Sequence, residues 1–285
     1  MNSRIVSKIE FDETLLQNDI ESILNFADVK EEYSEFRFGT WKNYVLRNGT
    51  GNQADALFRG TAGGCIETSL GARLKYISAV IEENFHTGKL RMVRANFLQD
   101  AVLIPHRDYV EFKSDYSRLA RLHIPIMTNE QSLHSEGKEV FHMRRGEIWY
   151  LDVNNIHSAC NLSDTPRISL VLDFCLDGQP LETALKHPPR RDDDLRPMMI
   201  ERSPIDDGFL KSIASMKHII NHVNYRDIVL FLSRVHFYKD VSIGAFFDWL
   251  IGICENAEDK SLLEKSLNFK EYMMNQRELA QRFSL

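Results

Sequence analysis

The feature that most constrains the fold is a series of short apolar segments between residues 89 and 175. They are rich in branched and aromatic side chains and are separated by turn residues such as Arg144-Arg145-Gly146. Many short strands at this spacing predict a β-sandwich or an open barrel. The first part of the series, KLRMVRANFLQDAVLI, predicts two strands, with Leu90, Met92 and Val93 in the first and Ala101 to Ile104 in the second. The segments read LRMV, AVLI, RLHIPIMT, EVFHM, EIWYLDV and RISLVLDF.

Helical patterns flank this β-rich region on both sides. Apolar residues recur at helical spacing after Asp12, which is a plausible N-cap, and again over residues 70–87. Four more helical segments follow within residues 205–285, after the charged, proline-bearing stretch KHPPRRDDDLRP. We therefore predict a β-core domain over 1–185, a linker or long loop over 186–204 and an α-helical subdomain over 205–285. The pattern leaves open whether the last helices cap the core or pair two protomers into a homodimer.

The composition argues against several classes of protein. The 285 residues carry a formal net charge of −6, so the basic footprint of a nucleic-acid-binding protein is absent. No apolar run approaches the roughly 20 residues that span a bilayer, and the first residues lack a signal-peptide pattern. The four cysteines are far apart in sequence and form no CxxC pair, which favours reduced thiols over a zinc site. We expect a cytoplasmic protein without nucleic-acid or membrane partners.

The segment VLIPHRDYVEF places two polar side chains where a metal could bind. His106 and Asp108 are two residues apart, so on an extended strand they point to the same face. His157, which follows the apolar segment EIWYLDV, is the best candidate for a third ligand. Two histidines and one carboxylate form the facial triad of non-haem Fe(II) oxygenases, which leaves coordination positions open. The intervening Arg107 points to the opposite face and is interpreted as structural.

A second pair of same-face residues follows in TPRISLVLDF. The Arg167 guanidinium suits a carboxylate, and the Ser169 hydroxyl adds one hydrogen bond. Apolar residues follow directly, so a buried charge at Arg167 needs a partner. The other histidines are interpreted as structural, and His134 as a solvated side chain in a polar loop. Those interpreted as structural are His86, His187, His218, His222 and His236.

With these residues the chain resembles the Fe(II)/2-oxoglutarate-dependent oxygenases, which share the pattern HxD…H…RxS. More narrowly, it resembles the bacterial proline cis-3- and cis-4-hydroxylases, a branch of the aspartyl/asparaginyl β-hydroxylase-like group. The run HMxxGEIWxLD is far more specific than the triad, and the similarity covers nearly the whole chain. The matching segments are EEYSEF (31–36), GTWKN (39–43), IPHRDYVE (104–111), FHMRRGEIWYLD (141–152), IHSA (156–159), NYRDIVLFLSRVHF (224–237) and the terminal RFSL.

The resemblance implies a cupin-like double-stranded β-helix, or jelly roll, over the β-core domain. It implies that the HxD…H triad binds Fe(II) and that Arg167, with Ser169, binds 2-oxoglutarate. It further implies that O2 and 2-oxoglutarate are consumed while a C–H bond of a free amino acid is hydroxylated and succinate is released. Arg121 is the candidate for the substrate carboxylate and His123 for 2-oxoglutarate. Trp41, Tyr33, Arg94 and Asn96 are the candidates for the substrate wall.

Asn96 raises the question of which amino acid is the substrate. The proline enzymes have a second arginine where this chain has Asn96, so its pocket is expected to be less positive. A related enzyme of glidobactin-type biosynthesis hydroxylates C4 of free L-lysine, and a less positive pocket tolerates an ammonium better. We therefore expect L-lysine, with L-proline or L-pipecolate as the alternative. Asp55, Glu111 and Glu35 are the candidates for a carboxylate that binds the side-chain ammonium.

Two other functions compete with hydroxylation of a free amino acid. A peptide-bound or carrier-bound residue would require an open groove, whereas Arg121 suits a free α-carboxylate. A non-catalytic jelly-roll scaffold would have lost a ligand position, and here every position of the triad is filled.

Overall fold

The computed structural model describes residues 1–27, 34–59, 64–188 and 195–285. The strands are β1 (Arg4–Lys8), β2 (Arg37–Asn48), β3 (Ile66–Glu67), β4 (Leu90–Leu103), β5 (Leu119–Met127), β6 (Ser132–Glu136), β7 (Glu139–His142), β8 (Glu147–Leu151), β9 (His157–Asn161), β10 (Arg167–Cys175) and β11 (Met198–Met199). The helices are α1 (Glu13–Leu24), α2 (Lys75–Asn84), α3 (Asp207–Ser215), α4 (Tyr225–Val235), α5 (Ala245–Glu255) and α6 (Ser261–Met274).

The antiparallel strands form two groups that share β4. In the first group the order is β1-β8-β5-β10-β4, and β2 lies on the other side of β4. In the second group β4 continues to β9, β6, β7 and β11. The sheet curls into a half-barrel, which confirms the predicted double-stranded β-helix, and the candidate site lies inside it.

β4 joins the two groups because its backbone bends near its end. The strand pairs with β10 as far as Leu98 and with β9 from Ala101 onward. Between them Asp100 has a φ of 39°, in the left-handed region. On β2, Gly39 has a φ of 78°, and a Cβ there would lie 1.9 Å from the Asp100 carbonyl oxygen. The prediction of two separate strands was wrong, because the polar QD sequence forms a bend within one strand rather than a turn.

β10 shows how one strand serves both the fold and the site. All nine of its residues are buried. One face, from Ile168 to Phe174, belongs to the apolar core beneath α1 and α2. The alternating residues Arg167, Ser169 and Asp173 point into the half-barrel. Burial of both faces explains why this segment reads as an almost continuous apolar run.

The C-terminal helices pack directly on the β-core. A single apolar cluster includes Val102 and Cys160 from the strands together with Leu232 and Phe247 from the helices. Within the predicted linker, β11 pairs with β7. The proposed domain boundaries remain a prediction. No helix in the described ranges is long and apolar enough to cross a membrane.

Candidate active site

The three candidate metal ligands are held by backbone pairing between two chain segments. His106 lies just beyond β4, and His157 begins β9. The amide of each donates to the carbonyl of the other, over 3.0 Å and 2.9 Å. Two residues further on, the Asp108 amide donates to the Val153 carbonyl over 2.8 Å. The spacing of the HxD motif therefore becomes a fixed geometry because both segments are locked to each other.

The ligand atoms of the triad converge on one point. Their candidate atoms all lie within 4.8 Å of one another. Nε2 of His106 is 3.4 Å from Asp108 Oδ1, and Nε2 of His157 is 3.7 Å from Asp108 Oδ2. Each Nδ1 faces a carbonyl, of Ile104 at 2.6 Å and of Asn155 at 3.0 Å. A carbonyl only accepts, so Nδ1 carries the proton and Nε2 keeps the lone pair that a metal needs.

The electrostatics of the site also favour metal binding. Burial and the neighbouring His106 lower the pKa of His157 to about 4. Burial alone would raise the pKa of Asp108, but Arg121 and the two imidazoles outweigh it and hold that pKa well below 3.8. His157 and Asp108 are therefore deprotonated at neutral pH, as coordination requires. Two imidazoles and one carboxylate match the donor set that non-haem Fe(II) prefers.

Behind Asp108 lies a buried network of opposite charges. Arg121 contacts Asp108 through Nη1 and donates from Nε to Asp173 over 2.7 Å. Arg94 donates to the other oxygen of Asp173 over 2.7 Å, and the Tyr109 hydroxyl donates to Asp173 over 2.7 Å. Burial raises the pKa of Asp173, but the two guanidinium groups outweigh it and lower the pKa. The network orients Asp108 toward the metal position.

At the opposite end of the cavity, a buried cation lies behind the lining residue His134. Arg167 is 3% exposed, and no carboxylate of a described residue pairs with it. Its Nε lies 3.3 Å from the Ser169 hydroxyl and its Nη2 lies 3.2 Å from His134 Nε2. Burial lowers the pKa of Arg167 to about 10, so the group remains charged at neutral pH. A buried guanidinium without a counter-ion suits a dianion such as 2-oxoglutarate.

His134 is a site residue that the sequence interpretation missed. It was assigned to a polar loop, but it lies on β6, is 5% exposed and lines the cavity beside Arg167. Burial and the Arg167 charge hold its pKa well below 6.5. The polar surroundings NEQSLHSEG masked the strand, and the alternation of Ser132, His134 and Glu136 was its available signal. Arg167 and Ser169 lie just behind the lining, whereas His134 forms part of it.

The candidates for the substrate wall have different environments. Trp41 and Asn96 line the cavity, and Trp41 donates from Nε1 to Asn96 Oδ1 over 3.0 Å. Asn96 also donates to Asn43 over 3.2 Å, so its amide is part of the wall of β2 and β4. Arg94 lines the cavity, and its buried Nε has no hydrogen-bond partner among the described residues. Tyr33 lies outside the described residues.

Arg121 and His123 also line the cavity, but they differ in how their side chains are hydrogen-bonded. Arg121 already bridges two carboxylates, which makes it a residue that orients Asp108 and leaves less of its hydrogen-bonding capacity for a substrate carboxylate. His123 is 8% exposed, and its buried Nδ1 has no hydrogen-bond partner within the described part of the chain. Burial and nearby cationic groups hold the pKa of His123 well below 6.5, so it is a neutral imidazole.

The three candidates for a carboxylate that binds a substrate ammonium lie at different positions relative to the cavity. Asp55 pairs with Arg59 in a loop away from the cavity, at 2.8 Å. Glu35 is buried and accepts a hydrogen bond from the Tyr272 hydroxyl over 2.5 Å. Glu111 lines the cavity. Arg277, from the C-terminal segment, also lines it, and no motif in the sequence indicated that contribution.

Comparisons with known proteins identify the family. A family model for aspartyl/asparaginyl β-hydroxylase matches residues 9–176, and one for the L-proline 3-hydroxylase C-terminal region matches residues 182–281. L-proline cis-3-hydroxylase 1 of a Streptomyces species is 34% identical over 100% of this chain and 99% of its own length. L-proline cis-4-hydroxylase of Rhizobium meliloti (strain 1021) is 33% identical over 98% of both chains. The chain belongs to the proline cis-hydroxylase family.

Among solved structures, an oxidoreductase of the 2OG-Fe(II) oxygenase family from Burkholderia pseudomallei is 14% identical, with a TM-score of 0.37, over 57% of this chain and 79% of that chain. The non-haem α-ketoglutarate-dependent epimerase SnoN from nogalamycin biosynthesis is 12% identical, with a TM-score of 0.38, over 70% of this chain and 93% of that chain. At these scores the similarity carries no argument about the site.

The protein is thus a non-haem Fe(II)/2-oxoglutarate-dependent hydroxylase of the oxidoreductase class, and its cofactor set is Fe(II), 2-oxoglutarate and O2. The residues fit this set, because the ligand atoms of His106, Asp108 and His157 converge on one point and the buried cation Arg167 has no carboxylate partner among the described residues.

Proposed function

We propose that the protein hydroxylates a ring carbon of a free cyclic L-amino acid, L-proline or its six-membered homologue L-pipecolate. The observation that carries the proposal is the full-length similarity to enzymes named for proline cis-hydroxylation. This substrate replaces the L-lysine expected from Asn96, because that residue is hydrogen-bonded within the wall and three arginines still line the cavity.

The charge of the cavity supports a substrate with one ammonium group. The described lining carries the guanidinium groups of Arg94, Arg121 and Arg277 and only two carboxylates, Asp108 and Glu111. Asp108 is the proposed metal ligand, so one carboxylate is left for the substrate. Lysine has two ammonium groups and would leave one of them among arginines without a partner, which is unfavourable in a buried site.

The recessed position of the site supports a free amino acid rather than a peptide. The side chains of His106, Asp108 and His157 are 6%, 19% and 15% exposed. Tyr109 is 2% exposed in the lining, and Arg277 is 7% exposed. An extended peptide would need an open groove to reach the metal position, whereas a small zwitterion can be enclosed.

Each group has a separate task in the proposed reaction. His106, Asp108 and His157 would bind Fe(II), and Arg167 with His134 and Ser169 would bind the distal carboxylate of 2-oxoglutarate. When bound, these cofactors and O2 supply the oxidation that converts C–H to C–OH while 2-oxoglutarate becomes succinate and carbon dioxide. Arg94 is the proposed partner of the substrate carboxylate, because its Nε is buried without an acceptor.

A substrate panel tests the proposal. The purified protein is incubated with Fe(II), 2-oxoglutarate and each of L-proline, L-pipecolate, L-lysine, L-arginine and L-leucine, and products are analysed by mass spectrometry. We expect a gain of one oxygen with proline or pipecolate, together with stoichiometric succinate. A product with lysine and none with either cyclic amino acid would overturn the proposal.

A further inference from the structure

Glu111 is a carboxylate in the cavity that the metal and 2-oxoglutarate leave unused. It lies in the 3₁₀ helix Val110–Arg118, directly after the metal-binding loop. Its side chain is 12% exposed, and its Oε2 is buried without a hydrogen-bond donor in good geometry. Among the described residues, Arg277 pairs with Glu111, and its Nη2 lies 3.1 Å from that oxygen. A carboxylate can accept from more than one donor, so this contact leaves capacity for a second cation.

Arg277 connects Glu111 to the metal-binding loop from the far end of the chain. Its Nη2 donates to the Arg107 carbonyl over 3.0 Å, between two of the metal ligands in sequence. Its guanidinium lies 5.1 Å from the centre of the Phe36 ring, and Phe36 contacts the His106 ring at 5.1 Å. The end of α6 is tied to the same loop, since the Arg107 amide donates to the Met273 carbonyl over 3.0 Å.

We propose that Glu111 is the receptor for the ammonium group of the amino-acid substrate and that Arg277 is its positioning residue. The C-terminal segment thereby completes the substrate pocket of the β-core. This inference rests on the proposed function, because it assumes an amino-acid zwitterion as the substrate.

The alternatives to Glu111 are occupied. Asp108 is the metal ligand, and Asp173, which lies behind the lining, already accepts from Arg94, Arg121 and Tyr109. The Arg277 donors are also largely used, by the carbonyls of Arg107 and Tyr272. Arg277 therefore orients Glu111 rather than competing as the receptor of the substrate carboxylate, and the unpaired Nε of Arg94 remains for that group.

The test compares two ligands, one with the ring ammonium of the amino acid and one without it. Tetrahydrofuran-2-carboxylate has the ring and carboxylate of proline but an ether oxygen in place of the ammonium. Binding of each ligand is measured anaerobically by calorimetry on protein loaded with Fe(II) and 2-oxoglutarate. In Glu111→Gln we expect proline to bind about 10- to 100-fold more weakly, because a charge-assisted hydrogen bond is lost. The affinity for tetrahydrofuran-2-carboxylate should change by less than about threefold.

Matched variants separate recognition from structure. Glu35→Gln also removes a buried carboxylate near the C-terminal segment, but Glu35 lies outside the cavity lining, so it should leave the preference for proline unchanged. Arg277→Met should weaken proline binding by about 3- to 10-fold and reduce the same preference, with 2-oxoglutarate affinity unchanged. Equal weakening of both ligands in Glu111→Gln would show a structural role alone and overturn the inference.

The design also separates this inference from the proposed function. If Glu111→Gln shows no cooperative thermal transition, Glu111→Asp decides, since it keeps the charge but withdraws it by one methylene. There we expect an intermediate loss of the preference for proline, and an unchanged preference would overturn the inference. If the wild-type protein binds no cyclic amino acid at all, the proposed function fails. If it binds and hydroxylates proline while both Glu111 variants keep the preference, only the role of Glu111 fails.

Discussion

Buried charges at one end of the cavity are paired with opposite charges of the protein, whereas the buried charge at the other end is not paired within the described part of the chain. Around Asp173, the charges are paired within the protein, because Arg94 and Arg121 face Asp173 and Asp108. At the other end, Arg167 is 3% exposed, and among the described residues its side chain has only a hydroxyl and an imidazole within hydrogen-bonding distance. In the first arrangement each charged group faces an opposite charge of the protein, and in the second Arg167 faces none among the described residues.

This difference separates groups that position from groups that bind. A buried charge is expensive unless it is paired, so the paired network can be stable in the protein by itself. The unpaired Arg167 is tolerated because an anionic ligand can supply its counter-ion. Removal of a group from the paired end should therefore destabilise the fold, whereas removal of Arg167 should affect ligand binding alone.

The largest expected effect comes from the metal ligand that belongs to the paired end. Asp108→Ala should abolish succinate release with any substrate, because it removes one of the three ligands and leaves Arg121 facing the metal position. Fe(II) binding, measured by equilibrium dialysis, should be lost in the same variant. Succinate release at the wild-type rate would contradict the assignment of the triad.

Arg167→Met tests the unpaired end directly. We expect 2-oxoglutarate to bind about 30- to 4,000-fold more weakly, since removal of one partner of a buried charge pair is worth about 2–5 kcal/mol. The free energy of unfolding of the metal-free protein should stay the same or increase, because the variant removes an unpaired buried charge. A clear loss of stability, measured by urea denaturation, would show that Arg167 has a partner in the protein after all.

Asp173→Asn tests the paired end with an isosteric change. Two guanidinium groups lose their shared counter-ion, so we expect a stability loss of about 3–5 kcal/mol. Fe(II) affinity should fall by about 10- to 100-fold, because Arg121 no longer holds Asp108 in place. The 2-oxoglutarate affinity, measured at saturating metal, is the internal control and should change little. A variant with normal Fe(II) affinity would contradict the positioning role.

The smallest expected effect is a difference in pH dependence between the two ends. Burial and Arg167 hold the pKa of His134 well below 6.5, so below pH 6.5 the unfolded state takes up a proton that the native state resists. The free energy of unfolding therefore decreases as the pH is lowered below 6.5, by at most about 1.4 kcal/mol per pH unit for this group. Asp108 and Asp173 have lowered pKa values, and their contribution is lost only below about pH 3.8.

His134→Gln should accordingly flatten the decline in stability between pH 6.5 and pH 4.5, measured by urea denaturation of the metal-free protein. Asp173→Asn should lower stability across that range without changing the slope. An unchanged slope in His134→Gln would show that this imidazole is protonated or exposed in the native state.

The parts of the site that the sequence could predict are those encoded by spacing within one segment. Arg167 and Ser169 are two residues apart on β10, so their shared face followed from strand geometry. His106 and Asp108 have the same spacing, but they lie beyond β4 and converge because backbone pairing with the segment of His157 holds them. His157 was found because a triad needs a third ligand. His134 was misinterpreted, since the polar residues around it suggested a loop. Arg277 was missed because nothing near it in sequence indicates a position 170 residues away, at Arg107.

Local periodicity in the sequence predicted a β-core, and motif spacing predicted the triad, which stays a prediction; the resemblance carried by the longer motifs predicted the jelly roll and the family. Only the tertiary structure decided which charges are paired. Arg94, Arg121 and Asp173 lie on three different strands, and Arg167 on one of the same strands is left without a carboxylate. Pairing of buried charges depends on strand register and on what packs across the half-barrel, and neither is visible in a single segment of sequence.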